Sequence, residues 1–577
     1  MPELTWVGKE KVITHHLDVP YRVLDRQYSF DETGQTEADN GSENMIIHGD
    51  NLEALKALLP KYEGKVGCIY IDPPYNTGNE GWVYNDAVND PRIKKWLGEV
   101  VGKEGEDLSR HDKWLCMMYP RLRLLQRLLS PSGVIMVSID DHEYSNLKSI
   151  CDEIFGPSNH VTTFIWESSG NTDNQAEITH VHEYVLLYRK TALAKIQPVV
   201  DPNVPSDSKI RRTFVENSAV KNGAKNPPSI VTLPKGFPCD VDSLHLSRHE
   251  FADEFMSRSE EYGFIPRSLT KQYPVNFPLR LDDLVVEHGE LQRPCRVFTG
   301  WMNVNKLNQY ISGNCTPVPE GSTTFFYYLT STGAVYYRKE GRQSHYVQSV
   351  LREMGTTETN KYELEKMGLE FEYPKPAQLL EYLMSLYLRP DGIALDSFAG
   401  SGTTAQAVLQ ANHRDSGDRK FILVELEDYA DPLTAARVKN VISGYGDGGG
   451  SEVASGGSFS FYELGASLLV DGNLNPAVPL ERVREYIWFT ETAEAYRPDS
   501  ERKHPDYLGR SSNDMSVFFA FDTKGPTVLD RMYLASIPTE CAAETYLIYA
   551  DMCLLTEQEL VKHNITFKKI PRDIIRL

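Results

Sequence analysis

An apolar run from Val66 to Ile71 ends in Asp72-Pro73-Pro74-Tyr75, followed by Asn76-Thr77-Gly78. These residue types suit one demanding reaction. The exocyclic amine of a nucleobase is a poor nucleophile, because its lone pair is delocalised into the ring. Two hydrogen-bond acceptors aimed at its N–H groups draw the nitrogen towards tetrahedral geometry and localise that pair. The Asp72 carboxylate and the Pro73 carbonyl are such acceptors, and the fixed φ of Pro73 and Pro74 holds them ready. Tyr75 offers a flat face on which an extruded base can stack. The plain alternative is a strand that ends in a Pro-Pro turn.

A second stretch, Leu395-Asp396-Ser397-Phe398-Ala399-Gly400-Ser401-Gly402-Thr403-Thr404, reads as a strand-to-helix turn. Gly400 and Gly402 let a ligand approach the backbone closely. A phosphate-binding loop of the GxxxxGK[ST] type is excluded, since the lysine is missing. The next strand, Phe421 to Val424, ends in Glu425, where an acid can hold ribose hydroxyls. A nucleoside-containing cofactor fits this pair better than a simple phosphate.

The elements that carry these stretches follow from hydrophobic spacing. Short buried strands are expected near 44–47, 66–71, 134–139, 161–167, 182–189, 393–396 and 421–425. Helical spacing covers Leu52 to Leu59, 111–129, Leu147 to Ile154, Leu379 to Leu386 and Ala405 to Leu409. Asp140 and Asp141 should end one strand and cap the helix after it. The alternation predicts an α/β fold, a doubly wound and mostly parallel sheet with helices on both faces. It lapses in a segment rich in Pro, Asn, Ser and aromatics, then resumes.

The expected organisation is therefore a leader with an acidic loop (1–43), a first half of the sheet domain (44–190), an inserted domain (191–365), the second half (366–445), a Gly/Ser linker (446–460) and a small C-terminal α+β module (461–577). The aromatics Phe325, Phe326, Tyr327, Tyr328, Tyr336 and Tyr337 read as a hairpin core rather than as stacking platforms.

Eight scattered cysteines form no CxxC pair, so neither a disulfide framework nor a metal site is signalled, and no metal is expected. No apolar run approaches the length of a membrane span, and a cytoplasmic protein is expected. The net charge of −21 argues against a protein that simply coats DNA. Yet segment 201–370 holds 20 Lys and Arg against 21 Asp and Glu, so the excess of acid lies elsewhere. Within that segment Lys209, Arg211, Arg212, Lys221 and Lys225 cluster with only Glu216 opposing, and could contact phosphates.

Taken together, Asp72 to Tyr75 and Phe398 to Gly402 resemble the motif pair of S-adenosylmethionine-dependent DNA amino-methyltransferases. The catalytic motif precedes the cofactor motif here, which resembles the circularly permuted β class. Ile69 to Gly78, His48 to Leu52, Ser138 to Asp141, His182 to Leu186, Phe371 and Tyr373 to Pro376 are similar to the modification subunits of Type III restriction–modification systems. The resemblance implies a methyltransferase (Rossmann-like) sheet, a target-recognition role for the insertion, and methyl transfer from S-adenosyl-L-methionine to adenine N6 of flipped-out bases in double-stranded DNA. It implies that Asp72, Pro73, Pro74 and Tyr75 hold the base. Phe398, Gly400, Gly402 and Thr403 would form the cofactor loop, with Asp396 facing the methionine amine, Glu425 the ribose, Asp50 the adenine amine, and Pro374 and Lys375 bordering the methionine. It also implies a homodimer and a separate restriction subunit bearing ATPase and nuclease motifs, or another defence-system subunit. An N4-cytosine or RNA methyltransferase, and a catalytically silent DNA-recognition subunit, are the competing readings.

Overall fold

A computed structural model of the protein describes residues 4–77, 110–168, 180–341, 346–446, 453–494, 496 and 503–574. The chain divides into two compact units. One joins Met1–Gln197 to Gln348–Leu577; the other is Pro198–Val347.

The first unit is built on an eleven-stranded sheet. Its strands are β1 (Arg22–Asp31), β2 (Gly34–Thr36), β3 (Met45–His48), β4 (Val66–Ile71), β5 (Leu129–Ile139), β6 (His160–Glu167), β7 (His182–Arg189), β8 (Val350–Leu351), β9 (Ile393–Asp396), β10 (Lys420–Glu425) and β11 (Ser458–Ser467). They lie in the order β8-β6-β7-β5-β4-β9-β10-β3-β11-β1-β2. The six strands from β5 to β11 in that order run parallel, and antiparallel strands flank them. The sheet is thus mixed and mostly parallel, as the alternation predicts. The middle strands are buried almost throughout, because helices cover both faces and every side chain faces protein.

Strand order reverses between β4 and β9. From β4 the chain moves outward to β5, and from β9 it moves the opposite way to β10. Neighbouring crossovers therefore diverge at this point and leave a crevice at the carboxyl ends of the two strands. Both chemical motifs of the sequence open on it. The helices that pack beside them are α1 (Asn51–Tyr62), α2 (Arg110–Leu128), α3 (Tyr144–Phe155), α4 (Ala377–Ser385), α5 (Thr403–Asp415) and α6 (Ala436–Ser443). Leu52, Leu55, Leu58 and Leu59 of α1 and Trp114, Leu115, Met118, Leu122 and Leu125 of α2 enter one shared core with β4 and β5.

Three expectations need correction. The leader is not outside the sheet: β1 and β2 pair at its edge. The span expected as the end of a linker and the start of a separate module contributes β11, between β3 and β1. The following helix, Leu480–Thr492, then packs its Val483, Tyr486, Ile487 and Trp488 in one cluster with Tyr21 and Val23 and with the strands at 515–519 and 545–550. Composition marked residues 446–460 as a linker, but from Ser458 the chain forms a strand that buries Phe459, Ser460 and Phe461 on an open parallel edge. Residues 447–452 lie outside the described residues. Asp140 and Asp141 do not cap α3. Asp140 accepts the His142 N–H at 2.9 Å and Asp141 accepts the Tyr184 hydroxyl at 2.9 Å, while Glu143 stands at the N-cap.

The second unit holds three small antiparallel sheets. In its hairpin Thr323–Leu329 and Val335–Glu340, Tyr327 pairs with Tyr337. Phe325, Tyr327 and Tyr337 are buried, whereas Phe326, Tyr328 and Tyr336 are half-buried on the other face. The two-residue period of a strand sends only alternate aromatics to the core.

Buried Asn44 ties three distant segments of the large sheet. Its amide donates to the Ser458 carbonyl at 2.8 Å and accepts the Phe421 N–H at 2.8 Å, and its own carbonyl accepts the Ser460 N–H at 2.9 Å. Asn44→Ala strands two buried backbone groups and should destabilise the first unit by about 2–4 kcal/mol. The urea midpoint should fall accordingly; an unchanged midpoint would refute this role.

Candidate active site

The turn after β4 is braced from both sides. Pro73 and Pro74 are buried. Trp114 of α2 donates its indole N–H to the Pro74 carbonyl at 2.7 Å, while among the described residues no donor reaches the Pro73 carbonyl. Asn76 sits at φ 61°, a left-handed conformation that Asn tolerates well. Its amide donates to Glu143 and, at 3.3 Å, to the Arg110 carbonyl. Glu143 is fully buried and also meets His111 Nδ1 and Asn146 Nδ2, each at 2.7 Å. Gly78 lies outside the described residues.

Asp72 stands at the head of a polar cluster. Its Oδ1 lies 2.9 Å from the Tyr75 hydroxyl and its Oδ2 lies 2.9 Å from Lys375 Nζ. Glu183, on β7, brings Oε2 to 3.1 Å from the same ammonium and 2.8 Å from the same hydroxyl. Burial holds the Asp72 carboxyl above the usual carboxylate range, with Lys375 drawing it down and Glu183 pushing it up. Burial by itself would lower the Lys375 ammonium; the two carboxylates outweigh it and hold it above the ordinary lysine value. A cleft of about 640 Å³ opens here, lined by Asp72, Tyr75, Asp140, His182, Glu183 and Lys375, among others. That volume suits a nucleotide-sized ligand.

On the other side of the crevice, β9 delivers Asp396. Its Oδ1 accepts the Phe398 N–H at 3.0 Å and its Oδ2 the Thr404 hydroxyl at 2.6 Å. The loop turns through Gly400 at φ 51° and Gly402 at φ 82°. A Cβ on Gly402 would lie 3.1 Å from the Thr434 carbonyl oxygen, so both conformation and space call for glycine. Glu425, at the end of β10, accepts the Gly400 N–H at 2.7 Å and the Glu427 N–H at 3.0 Å. Burial pushes the Asp396 and Glu425 carboxyls each up to about 7. Among the described residues the buried Ser397 hydroxyl has no hydrogen-bond partner. Pro374, Lys375, Asp396, Phe398, Gly400 and Thr403 line one pocket together with Asp72. Two desolvated acids, an orphaned hydroxyl and a glycine turn fit a ligand that carries a cationic amine and neighbouring hydroxyls.

One buried arginine holds this loop to the rest. Arg437 of α6 donates to Ser401 Oγ at 2.7 Å, Thr403 Oγ1 at 2.8 Å, Gln406 Oε1 at 2.8 Å and Asn360 Oδ1 at 3.1 Å. Asn360 in turn donates to the Lys375 carbonyl. Gln406 passes on to Glu363, donating to its Oε1 at 2.7 Å. Burial lowers the guanidinium to about 10. The glycine loop and the Pro374-Lys375 segment are thus anchored to the same side chain.

Asp50 stands beside this loop, since its neighbours Gly49 and Asn51 donate to the Glu425 carbonyl at 2.9 Å and the Ser397 carbonyl at 3.1 Å, whereas the basic residues singled out from the sequence as phosphate contacts lie in the second unit. Asp50 accepts the Leu52 and Glu53 N–H groups as the N-cap of α1 and pairs with Arg121 at 3.4 Å. In the second unit, Arg211 spends its guanidinium on its own loop, donating to the carbonyls of Val204 (2.6 Å), Pro202 (2.9 Å) and Asp201 (3.1 Å). It therefore braces that loop and is not a free phosphate contact. Arg212 lies over the Phe214 ring at 5.9 Å, and Lys221 and Lys225 are exposed. The Lys209 side chain lies outside what the structure describes. Sequence reasoning missed Glu183, Glu143, Trp114 and Arg437 as parts of the site. Each is an ordinary residue of a strand, a helix or a helix cap, and only the packing of distant segments brings it to the motifs.

A sequence profile described as DNA methylase matches residues 66–435, which include both motifs. The chain is 30% identical over 444 residues to the Type III restriction-modification enzyme EcoP15I Mod subunit of Escherichia coli, covering 74% of this chain and 64% of that protein. The EcoPI Mod subunit of Escherichia phage P1 is 30% identical over 450 residues, covering 74% and 63%. Type II methyltransferase M.KpnI of Klebsiella pneumoniae is 26% identical over 402 residues, covering 69% and 84%. The chain spans less than two thirds of the length of the two Mod subunits. With the profile matching well over half of its residues, and Asp72 to Tyr75 and the glycine loop at one crevice, the chain belongs to the DNA methylase family.

Proposed function

We propose that this chain transfers a methyl group from S-adenosyl-L-methionine to the N6 amine of adenine in double-stranded DNA, as the modification subunit of a Type III-like system. The observation that carries the reading is the meeting of Asp72-Pro73-Pro74-Tyr75 and the 396–404 loop at the reversal point between β4 and β9. The Mod-subunit relatives support adenine as the target and a restriction subunit as a partner. The catalytic-before-cofactor order is read as a circular permutation, with target recognition assigned to the insertion at 191–365. A homodimer belongs to the same reading.

The target base leaves the duplex, at a cost of a few kcal/mol in stacking and pairing. The Asp72 carboxylate and the Pro73 carbonyl accept the two amine hydrogens, and Tyr75 supports the ring. The acceptors are fixed before the base arrives, because Trp114 holds the Pro-Pro turn. Bound S-adenosyl-L-methionine supplies an electrophilic sulfonium methyl. Asp396 would hold its amino group, Glu425 its ribose hydroxyls and Asp50 its adenine amine, with Phe398, Gly400, Gly402, Thr403, Pro374 and Lys375 around it. The second unit, residues 198–347, carries 17 Lys and Arg against 16 Asp and Glu on an otherwise acidic chain, which suits contact with DNA.

Three measurements test this reading. Labelled S-adenosyl-L-methionine should mark DNA, and Asp72→Ala should lower turnover by about 10²–10³-fold while cofactor affinity stays within a few-fold. Label found only in RNA or protein would refute the substrate; tight DNA binding with no transfer would favour a silent recognition subunit. Asp396 and Glu425 carry raised pKa values, so near pH 6 they are largely protonated and must ionise to serve the cofactor. Cofactor affinity should therefore rise by up to about tenfold per group and pH unit as pH climbs towards 7, then level off. Calorimetry in buffers of different ionisation enthalpy should show proton release at pH 6; a flat profile would refute the roles of both acids. Reversing Arg212, Lys221 and Lys225 together to Glu should weaken DNA binding and flatten its salt dependence by up to about three phosphate contacts. An unchanged slope would move the DNA surface elsewhere.

A further inference from the structure

The Asp72 carboxylate is already occupied. Lys375 Nζ sits on one oxygen at 2.9 Å and the Tyr75 hydroxyl on the other at 2.9 Å. A lysine ammonium is a far stronger donor to a carboxylate than a neutral aromatic amine. A base amine can use Asp72 fully only if that ammonium gives way.

A second seat for the ammonium stands ready. Glu183 Oε2 is 3.1 Å from Nζ, and the Tyr75 and Trp166 rings lie 4.9 and 5.9 Å from it. Glu183 and Trp166 are cross-strand partners on β7 and β6, so their side chains share one face of the sheet. The Tyr75 hydroxyl is 2.9 Å from Asp72 and 2.8 Å from Glu183, and its single hydrogen can serve only one of them at a time. These two donors on Asp72 thus share one alternative acceptor. Leaving Asp72 does not strand Lys375 as an unpaired buried charge, an arrangement that desolvation strongly disfavours.

We propose that Glu183 is a positioning residue of the methyl-transfer site: it receives the Lys375 ammonium and the Tyr75 hydroxyl when a base amine takes their place on Asp72. In the absence of a base, Lys375 neutralises Asp72 and keeps it aligned. With a base bound, Glu183 carries the cation, and Asp72 is left as an acceptor for the amine. This inference rests on the amine-methylation reading above.

The test is a second-site rescue. Turnover is measured with labelled S-adenosyl-L-methionine on genomic DNA free of adenine methylation, for wild type, E183Q, K375M and E183Q/K375M. Calorimetric affinity for S-adenosyl-L-methionine and thermal unfolding of each protein serve as readouts independent of activity. E183Q leaves Lys375 on Asp72 and should lower kcat by about 30-fold or more, with cofactor affinity within threefold. K375M removes the competing ammonium and should cost less. The double variant should be faster than E183Q by at least about tenfold, because the group that Glu183 must draw away is gone. E183D keeps the charge and should recover part of the rate. A double variant as slow as E183Q, or E183Q at the wild-type rate, overturns the proposal while leaving the methylation reading intact. Wild-type protein that labels no DNA overturns the parent reading, and this proposal with it.

Discussion

The structure depends on one pairing, between β4 and β9. The strands come from residues about 320 positions apart, yet Ala394 pairs with Cys68 and Leu395 with Ile69 in parallel register. Closing so long a loop costs little more than closing a moderate one, since the entropy grows only with the logarithm of length. Burial of Ile69, Ile71, Leu395 and their neighbours outweighs it. Because the chain departs from this pair in opposite directions, the carboxyl ends of β4 and β9 are left uncovered. Asp72 and Asp396 stand at that opening. Burial raises the proton affinity of both carboxyls, and the charge of Asp72 adds a smaller push on Asp396.

The opening gathers more charge than its size would suggest. Asp72, Glu183, Asp396 and Glu425 are all largely withdrawn from water. Lys375 answers the first two. Among the described residues, Asp396 and Glu425 receive backbone N–H groups and hydroxyls and no cation. Buried acids without a cation favour the protonated form. This half of the crevice is left short of positive charge, and the other half holds its charge in a shared cluster. The difference matches the two roles proposed for them, an acceptor for an amine on one side and a pocket for a cationic ligand on the other.

Arg437 shows how the geometry is kept. Its four acceptors are neutral side chains, so it buys no strong ion pair of its own. It converts Ser401, Thr403, Gln406 and Asn360 into one rigid set. Through Asn360 the set reaches the backbone of Lys375 and so touches both halves of the crevice. A loop with two glycines at positive φ has much freedom to lose, and this network takes it away.

Most of the fold around the site is legible in the sequence. Val66–Ile71, Ile393–Leu395 and Phe421–Val424 are short, continuous apolar runs, each followed at once by an acid (Asp72, Asp396, Glu425). Local pattern suffices there because periodicity and burial agree. It fails at 458–467, where a polar, glycine-rich approach hides a strand, and at Arg22–Asp31, whose charged residues reflect its place near a sheet edge. Those strands are decided by which edge lies open, a property of the assembled sheet. The sequence by itself determined the Asp-Pro-Pro-Tyr motif, the glycine loop and the acids at the strand ends, because each is carried by neighbouring residues. Only the tertiary structure decided that Lys375 and Glu183 join Asp72 and Tyr75, and that Arg437 anchors the loop. Those contacts span 31 to more than 300 residues, and no periodic pattern records them.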